Sequence, residues 1–372
     1  ITVTAGSIKL GEAGTLASTI SMSGGSLDVD ESLTLSGALT QAGNITIDVA
    51  SGKTLTYSGA ALNLGAYTLT LSGEGRLSNT YVLGLNNASS KLLLSSSITV
   101  DRVSTSLASL GLDVDGDSTV TSLSVGHITP VSIASGKTLS GAITVTAGSI
   151  KLGETGTLAS TVSMSSGTLD ADESLTLSGA LTQSGNITID VADGKILTYS
   201  GASFNLGAYT LTMSGGGTLG NTNALVLNNA NSKLLLNSIT LGSASTSADS
   251  LGLDVNANST VTSLSVGHIT PVSIASGKTL SGAITVSAGS IKLDEAGTLA
   301  STIAMSGGTL DADESLTLSG ALTQSGNITM DVADNKILTY SGASLNLGAN
   351  TLTLSGGGRF SNTNHIDLNN AS

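Results

Sequence analysis

Carboxylates recur in three closely spaced groups, and these are the first candidates for chemistry in the sequence. Carboxylate oxygens at such spacing are typical ligands of hard divalent cations such as Ca²⁺. Each group lacks the further ligands of a complete site, so it is equally typical of an acidic turn that keeps a protein soluble, and we favour that interpretation. Ca²⁺ is the one cofactor for which the sequence offers candidates. They are Asp28, Asp30, Glu31, Asp170, Asp172, Glu173, Asp311, Asp313 and Glu314.

The segment DVDGDS has a second, weaker calcium pattern, with Asp113, Asp115 and Asp117 at alternate positions. The corresponding later segment, DVNANS, keeps only the first carboxylate. Position 124, where a twelve-residue calcium loop carries Glu, is Ser. This pattern therefore predicts a solvated turn.

Histidine and arginine give no basis for catalysis. His127 and His268 each stand two residues before a Thr-Pro pair, isolated from clustered carboxylates. Ser is so frequent that no Ser–His–Asp arrangement can be read from spacing. Arg76 and Arg102 correspond to Thr and Ser in the next copy of the repeat, and β-helix enzymes that cleave acidic polysaccharides need such cations. We expect that the protein is not an enzyme.

Composition narrows the class of protein further. The net charge is −13 and no basic run occurs, so no nucleic-acid partner is expected. The chain has no cysteine, which excludes disulfides and zinc–thiolate sites. No apolar run reaches the ~18 residues of a membrane span, so no membrane insertion is expected in this segment. Hydrophobic residues make up 39% and aromatic residues only 2%. We expect Leu, Ile and Val to fill a core too narrow for Phe or Trp.

A tandem repeat is the element that must position all of these residues. The 28 residues from Ser118 to Val145 return unchanged from Ser259 to Val286. The sequence divides into a first repeat at 1–142, a second at 143–283 and a partial third at 284–372, which we expect to form one continuous array. The second repeat is one residue shorter near 234–240, and we expect that difference to fall in a loop, because in a strand it would reverse the facing of every later side chain.

A shorter period runs inside each repeat. Lines of about 20 residues hold two or three alternating runs such as SIKL, NITIDV and TLTL, separated by Gly, Ser, Asn and Asp. Alternation over four to six residues indicates strands, and these separators indicate turns. No stretch has the periodicity of a long helix. The pattern predicts an all-β fold, a parallel β-solenoid with about 20 residues per coil and about seven coils per 141-residue repeat.

The lines LTLSGALTQ (33–41), GKTLTYSGAALNLG (52–65) and YTLTLSGEGRLSN (67–79) resemble the Gly/Ser/Thr-rich repeats of bacterial autotransporter passengers and related large repetitive surface adhesins. The resemblance covers nearly the whole chain. It implies a right-handed parallel β-helix, export from a bacterium, and a role as a surface stalk or adhesin.

We expect an extracellular or cell-surface structural protein, a segment of a long β-solenoid fibre, stalk or filament. One alternative is an adhesin passenger that binds glycans or surfaces. A further alternative is an ice-binding solenoid, since Thr-x-Thr pairs such as Thr54/Thr56 and Thr68/Thr70 recur. The expected partners are further copies of the same repeat within a longer chain, and such filaments could associate laterally.

Overall fold

The computed structural model of the protein describes residues 1–368, and residues 369–372 of the third repeat lie outside that part. All 49 elements within the described range are strands, and none is a helix. The chain divides into two compact units, Ile1–Leu181 and Thr182–Ser372. The division falls within the second repeat.

The first unit holds these strands in chain order: β1 (Thr2–Val3), β2 (Ser7–Leu10), β3 (Gly14–Leu16), β4 (Ile20–Met22), β5 (Ser26–Val29), β6 (Leu33–Leu35), β7 (Leu39–Gln41), β8 (Ile45–Val49), β9 (Thr54–Tyr57), β10 (Leu62–Asn63), β11 (Thr68–Gly73), β12 (Arg76–Asn79), β13 (Leu83–Leu85), β14 (Lys91–Leu94), β15 (Thr99–Thr105), β16 (Gly111–Val114), β17 (Ser118–Val125), β18 (Thr129–Ile133), β19 (Thr138–Val145), β20 (Ser149–Leu152), β21 (Thr157–Leu158), β22 (Thr161–Met164), β23 (Thr168–Ala171) and β24 (Leu175–Leu177). Strand β25 (Leu181–Gln183) contains the division between the units.

The second unit continues with β26 (Ile187–Val191), β27 (Ile196–Tyr199), β28 (Phe204–Asn205), β29 (Thr210–Ser214), β30 (Thr218–Asn221), β31 (Leu225–Leu227), β32 (Lys233–Leu236), β33 (Thr240–Thr246), β34 (Gly252–Val255), β35 (Ser259–Val266), β36 (Thr270–Ile274), β37 (Thr279–Val286), β38 (Ser290–Leu293), β39 (Thr298–Leu299), β40 (Thr302–Met305), β41 (Thr309–Ala312), β42 (Leu316–Leu318), β43 (Leu322–Gln324), β44 (Ile328–Val332), β45 (Ile337–Tyr340), β46 (Leu345–Asn346), β47 (Leu352–Ser355), β48 (Arg359–Asn362) and β49 (Ile366–Asp367).

Most turns of the chain add one strand to each of three faces, and strands of successive turns pair in parallel. We number the faces in chain order, so that β1 lies on the first face, β2 on the second and β3 on the third. On the second face of the first unit, Leu27 of β5 pairs with Ile47 of β8, 20 positions later. The step lengthens to 24 positions between Ile47 and Leu71 and returns to 20 between Leu94 and Val114. The prediction of a β-solenoid is therefore confirmed.

The number of turns can be counted from the strands of the second face. Its strands in the first unit are β2, β5, β8, β11, β14, β16, β18, β20 and β23, and in the second unit β26, β29, β32, β34, β36, β38, β41, β44 and β47. The described chain thus forms about 18 turns. Seven of these strands fall within residues 1–142, which agrees with the predicted seven coils per repeat.

Aliphatic ladders fill the interior of each unit. Side chains alternate along each strand, so every second residue faces inward and stacks on the equivalent residue of the next turn. Each buried Leu or Ile contributes roughly 1.5–3 kcal/mol relative to exposure. One ladder of the first unit, in which every member is at most 1% exposed, consists of Leu27, Ile47, Leu71, Leu94, Val114 and Ile133.

Aromatic residues also enter the core, contrary to the expectation that it is too narrow for Phe. Phe204, Tyr199 and Tyr340 are each at most 2% exposed. The Tyr340 hydroxyl donates to the carbonyl of Ala343 at 2.5 Å and accepts a hydrogen bond from the Leu322 amide at 3.2 Å. The two tyrosines are the last residues of β27 and β45, where each hydroxyl donates to a backbone carbonyl of the adjoining corner.

Strands β15, β17 and β19 each serve two faces, because the chain bends within them. At the bend of β15, the consecutive residues Asp101 and Arg102 both face outward, and at the bend of β17 so do Thr121 and Ser122. The pairing register of β17 with β19 shifts at this point. The bend therefore places side chains side by side on the surface where a straight strand would alternate them.

The one-residue difference between the first two repeats lies in a connection, as expected. The first repeat has it between β14 and β15, and the second between β32 and β33. In the shorter version Ser238 takes a left-handed backbone conformation, with φ of 58°. The flanking strands keep the same facing in both copies.

Candidate functional site

The recurring carboxylates lie on the outer side of the second face and at the corner that follows it. Asp28 pairs in register with Lys9 of the turn before and Asp48 of the turn after. The third repeat places Lys292, Asp311 and Asp331 in the same order. In both repeats the first carboxylate of the group therefore follows a lysine of the preceding turn in the ladder.

Lysines of adjacent turns pair with these carboxylates. In the first repeat Lys9 Nζ lies 2.9 Å from Asp30, and Lys53 Nζ lies 2.7 Å from Glu31. In the second, Lys151 Nζ lies 2.8 Å from Asp172 and 3.4 Å from Asp170. Glu173 follows at the same corner as Glu31.

The third repeat shows the same arrangement. Lys336 Nζ lies 2.6 Å from Glu314. Lys292 Nζ contacts Asp313 and lies 3.8 Å from Asp311. The described residues contain no group of three or more His, Cys, Asp or Glu side chains that could hold a metal ion. A bound Ca²⁺ would have to displace a lysine, so the calcium assignment stays a prediction.

In the ladder of the third repeat, burial and the neighbouring lysine have opposite effects on the pKa of Asp311. Burial raises the pKa of Asp311 above its ordinary value, and the neighbouring Asp313 carboxylate raises it further, while Lys292 lowers it. The hydrogen bond to Asp313 raises the pKa of Lys292. The ladder is thus an ion-pair network that tolerates a partly buried carboxylate.

The segment DVDGDS does not converge on a common point. Asp113 contacts Lys91. Asp117 Oδ1 accepts a hydrogen bond from the Thr138 amide of the next turn at 2.9 Å. In the second repeat Asn258 Oδ1 accepts the equivalent bond from Thr279 at 3.0 Å. A corner that needs only one oxygen acceptor explains why Asp and Asn exchange here.

The histidines lie on exposed connections. His268 Nδ1 is 3.7 Å from Asp249 Oδ1, which accepts a hydrogen bond from the Ile269 amide at 3.0 Å. The first repeat has Ala108 where the second has Asp249, so the environment of His127 differs. The two histidines therefore share a position in the fold but not a carboxylate neighbour.

Threonine ranks do form on the outside of the third face. In the second unit a rank runs through successive turns from β37 to β48. Strands β39 and β42 each present only one outward residue, so the hydroxyls form a single line there. The rank consists of Thr279, Thr298, Thr317, Thr339 and Ser361.

One surface site could not be recognised from the sequence. A groove of about 490 Å³ in the first unit is lined by Arg76, Val82, Asp101 and Arg102, with Ser and Thr hydroxyls beside them. We call it the arginine groove. Two of the three arginines of the chain line it. They lie 26 positions apart, and only the stacking of β12 on β15 brings them together.

No helix among the described residues is long and apolar enough to cross a membrane. No protein-family model, no curated protein and no solved structure matches the chain. What defines the protein is its own architecture, a tandem-repeat parallel β-solenoid whose outer surface carries lysine–carboxylate ladders and one arginine groove.

Proposed function

We propose that the chain is a segment of an extracellular structural protein, a β-solenoid fibre, stalk or surface filament exported from a bacterium. The observation that carries the proposal is the use of the same stacking surface turn after turn. Buried ladders, corner acceptors and outer ion pairs all connect one turn to the next. A structure built this way can be lengthened by further repeats, because each added turn uses the same contacts as the turns already present.

The surface chemistry agrees with this role. Charged residues make up only 10% of the chain, and many exposed positions carry Ser or Thr. The likeness of the repeats to autotransporter passengers and repetitive adhesins adds support for export and surface display.

Antibodies raised against the purified chain test the proposal. On intact, unpermeabilised cells we expect gold particles along surface fibres in electron micrographs. An antibody against a cytosolic protein serves as the control and should label only permeabilised cells. If the solenoid antibody labels cells only after permeabilisation, the extracellular assignment is wrong.

A second candidate is an adhesin passenger that binds glycans. The arginine groove favours it, because a purely structural repeat has no need for a charged groove in one copy that the next copy lacks. The two roles are compatible, since a stalk can carry a binding site on its side.

A further inference from the structure

We propose that the arginine groove of the first unit binds an anionic glycan, with Arg102 contacting a carboxylate or sulfate group of the sugar. This names a ligand class for the adhesin candidate and rests on that candidate role. The site stands on residues that distinguish the first repeat from the second.

Five of the nine residues that line this groove differ between the two repeats. The positions of Arg76, Asp101 and Arg102 carry Thr, Gly and Ser in the second repeat. Two neighbouring positions differ as well, where Tyr81 and Val82 become Asn and Ala. The charged and aromatic groups of this surface are thus present together in one copy and absent together from the other.

The scaffold beneath the groove is the same in both copies. Asn79 Nδ2 donates to the carbonyls of Tyr81 and Arg102, both at 2.7 Å, and so holds the two residues beside each other. In the second repeat Asn221 makes the equivalent bonds to Asn223 and Ser243, also at 2.7 Å. The backbone therefore supports either set of side chains, and the arginine set is an addition to it.

Of the two arginines that line the groove, Arg76 is paired with a carboxylate and Arg102 is available to a ligand. Arg76 pairs with Asp101 through Nη2 at 2.7 Å and Nε at 3.0 Å, and Ser78 Oγ donates to the same carboxylate at 2.8 Å. Within residues 1–368 no ion pair involves Arg102. Its exposed guanidinium can donate two parallel hydrogen bonds to a carboxylate or sulfate.

The remaining groups of the groove fit a sugar. Ser104, Ser122 and Ser124 line it and offer hydroxyls to the hydroxyls of a saccharide. Tyr81 precedes the lining residue Val82 in the chain and is 50% exposed, and an exposed aromatic ring can pack on the apolar face of a pyranose. The groove is open to solvent on the surface of the solenoid, so a bound polymer can extend beyond both ends of it. An acidic peptide would satisfy Arg102 but would leave the hydroxyl lining without comparable partners.

The negative net charge of the protein disfavours nonspecific binding of anionic polymers. A protein of net charge −13 repels polyanions in general. Saturable binding of an anionic polymer must therefore come from a local site.

The test uses the full chain and fluorescence anisotropy with a fluorescein-labelled oligogalacturonate as the carboxylated probe and a labelled heparin oligosaccharide as the sulfated one. We expect saturable binding of at least one, which identifies the anion. Arg102→Ser should weaken it at least about tenfold, the loss of one charge-assisted contact. Arg102→Lys, which keeps the charge but not the paired donors, should give an intermediate loss.

The matched control is Arg359→Thr, which removes the arginine equivalent to Arg76 in the third repeat and should leave affinity unchanged. Because the second repeat carries Ser243 on the same scaffold, Arg102→Ser is expected to fold, and circular dichroism checks this. Should that variant unfold, the Arg102→Lys series decides the outcome.

Four results would overturn the proposal. They are no saturable binding of either probe, equal binding by Arg102→Ser, equal binding of neutral dextran, and equal binding of polyglutamate. Each leaves the filament role untouched, since that role fails only if the protein is not displayed at the cell surface.

Discussion

At the scale of single residues, the outer carboxylates are held by lysines rather than gathered around a common point. Lys292 contacts Asp313, while the partly buried Asp311 stands one pairing position away in the same ladder. Burial and the like charge of Asp313 outweigh the attraction of Lys292, so the charged form of Asp311 is disfavoured in the folded protein.

Replacement of Asp311 tests this balance. Its pKa is raised above the ordinary value of 3.8 on folding, so protonation favours the folded state. That stability is fully present below the ordinary value and is lost as the pH rises through the raised one. Asp311→Asn should therefore stabilise the protein at pH 7 by roughly 0.5 kcal/mol, a small effect because the side chain is partly solvated. Urea denaturation at a series of pH values measures it.

The control variant is Asp313→Asn, which removes the hydrogen-bond acceptor of Lys292 and should destabilise the protein at pH 7. The gain from Asp311→Asn should shrink as the pH falls through the raised pKa of Asp311, because the protonated carboxyl group no longer carries the charge that burial disfavours. A destabilised Asp311→Asn variant at pH 7 would show that the ion pair with Lys292 outweighs burial.

At the scale of elements, the bends within β15, β17 and β19 decide which side chains meet on the surface. The bend in β19 depends on Gly141, whose φ is +118°. A Cβ at this position would lie 1.8 Å from the carbonyl oxygen of Val120 in the preceding turn. Both the backbone conformation and the close approach therefore require glycine.

Alanine at this bend should be severely destabilising. Gly141→Ala must move β19 away from β17, and we expect a loss on the order of 3 kcal/mol from strain and overpacking. Gly11→Ala is the matched control, because no atom lies within 4 Å of its added Cβ. Urea midpoints of the two variants measure the difference. Equal midpoints would mean that the bend adapts without cost.

At the scale of the whole molecule, the same inward ladders and corner acceptors recur through about 18 turns. Stability of such an array is close to a sum of interfaces between neighbouring turns. The lysine–carboxylate pairs are one small part of each interface, and the lysines already neutralise carboxylates that they contact.

Removal of calcium should therefore change stability little. A site saturated at one hundred times its Kd would add about 2.7 kcal/mol to folding, whereas lysine-paired carboxylates gain much less from the ion. We expect the melting temperature to be the same within about 2 °C in excess EDTA and in millimolar CaCl₂. Magnesium chloride at equal ionic strength is the control for charge screening. A fall of many degrees specific to calcium removal would show that the carboxylate groups bind the ion.

The sequence by itself determined the architecture. Alternation of Leu, Ile and Val with polar residues can bury its apolar side only if turns stack, because one turn of about 20 residues is too small for a core of its own. The same reasoning placed the one-residue difference near 234–240 in a connection. The prediction that the core is too narrow for Phe failed at Phe204, because low aromatic content says nothing about where the few rings lie.

Only the tertiary structure decided which side chains share a surface. Lys9 and Asp30 are 21 positions apart and meet because β2 and β5 pair in parallel. Arg76 and Arg102 meet because β12 pairs with β15 and β15 bends at Asp101 and Arg102. Turn length and bending follow from backbone packing between neighbouring turns, and that information is not carried by the periodicity of any single segment.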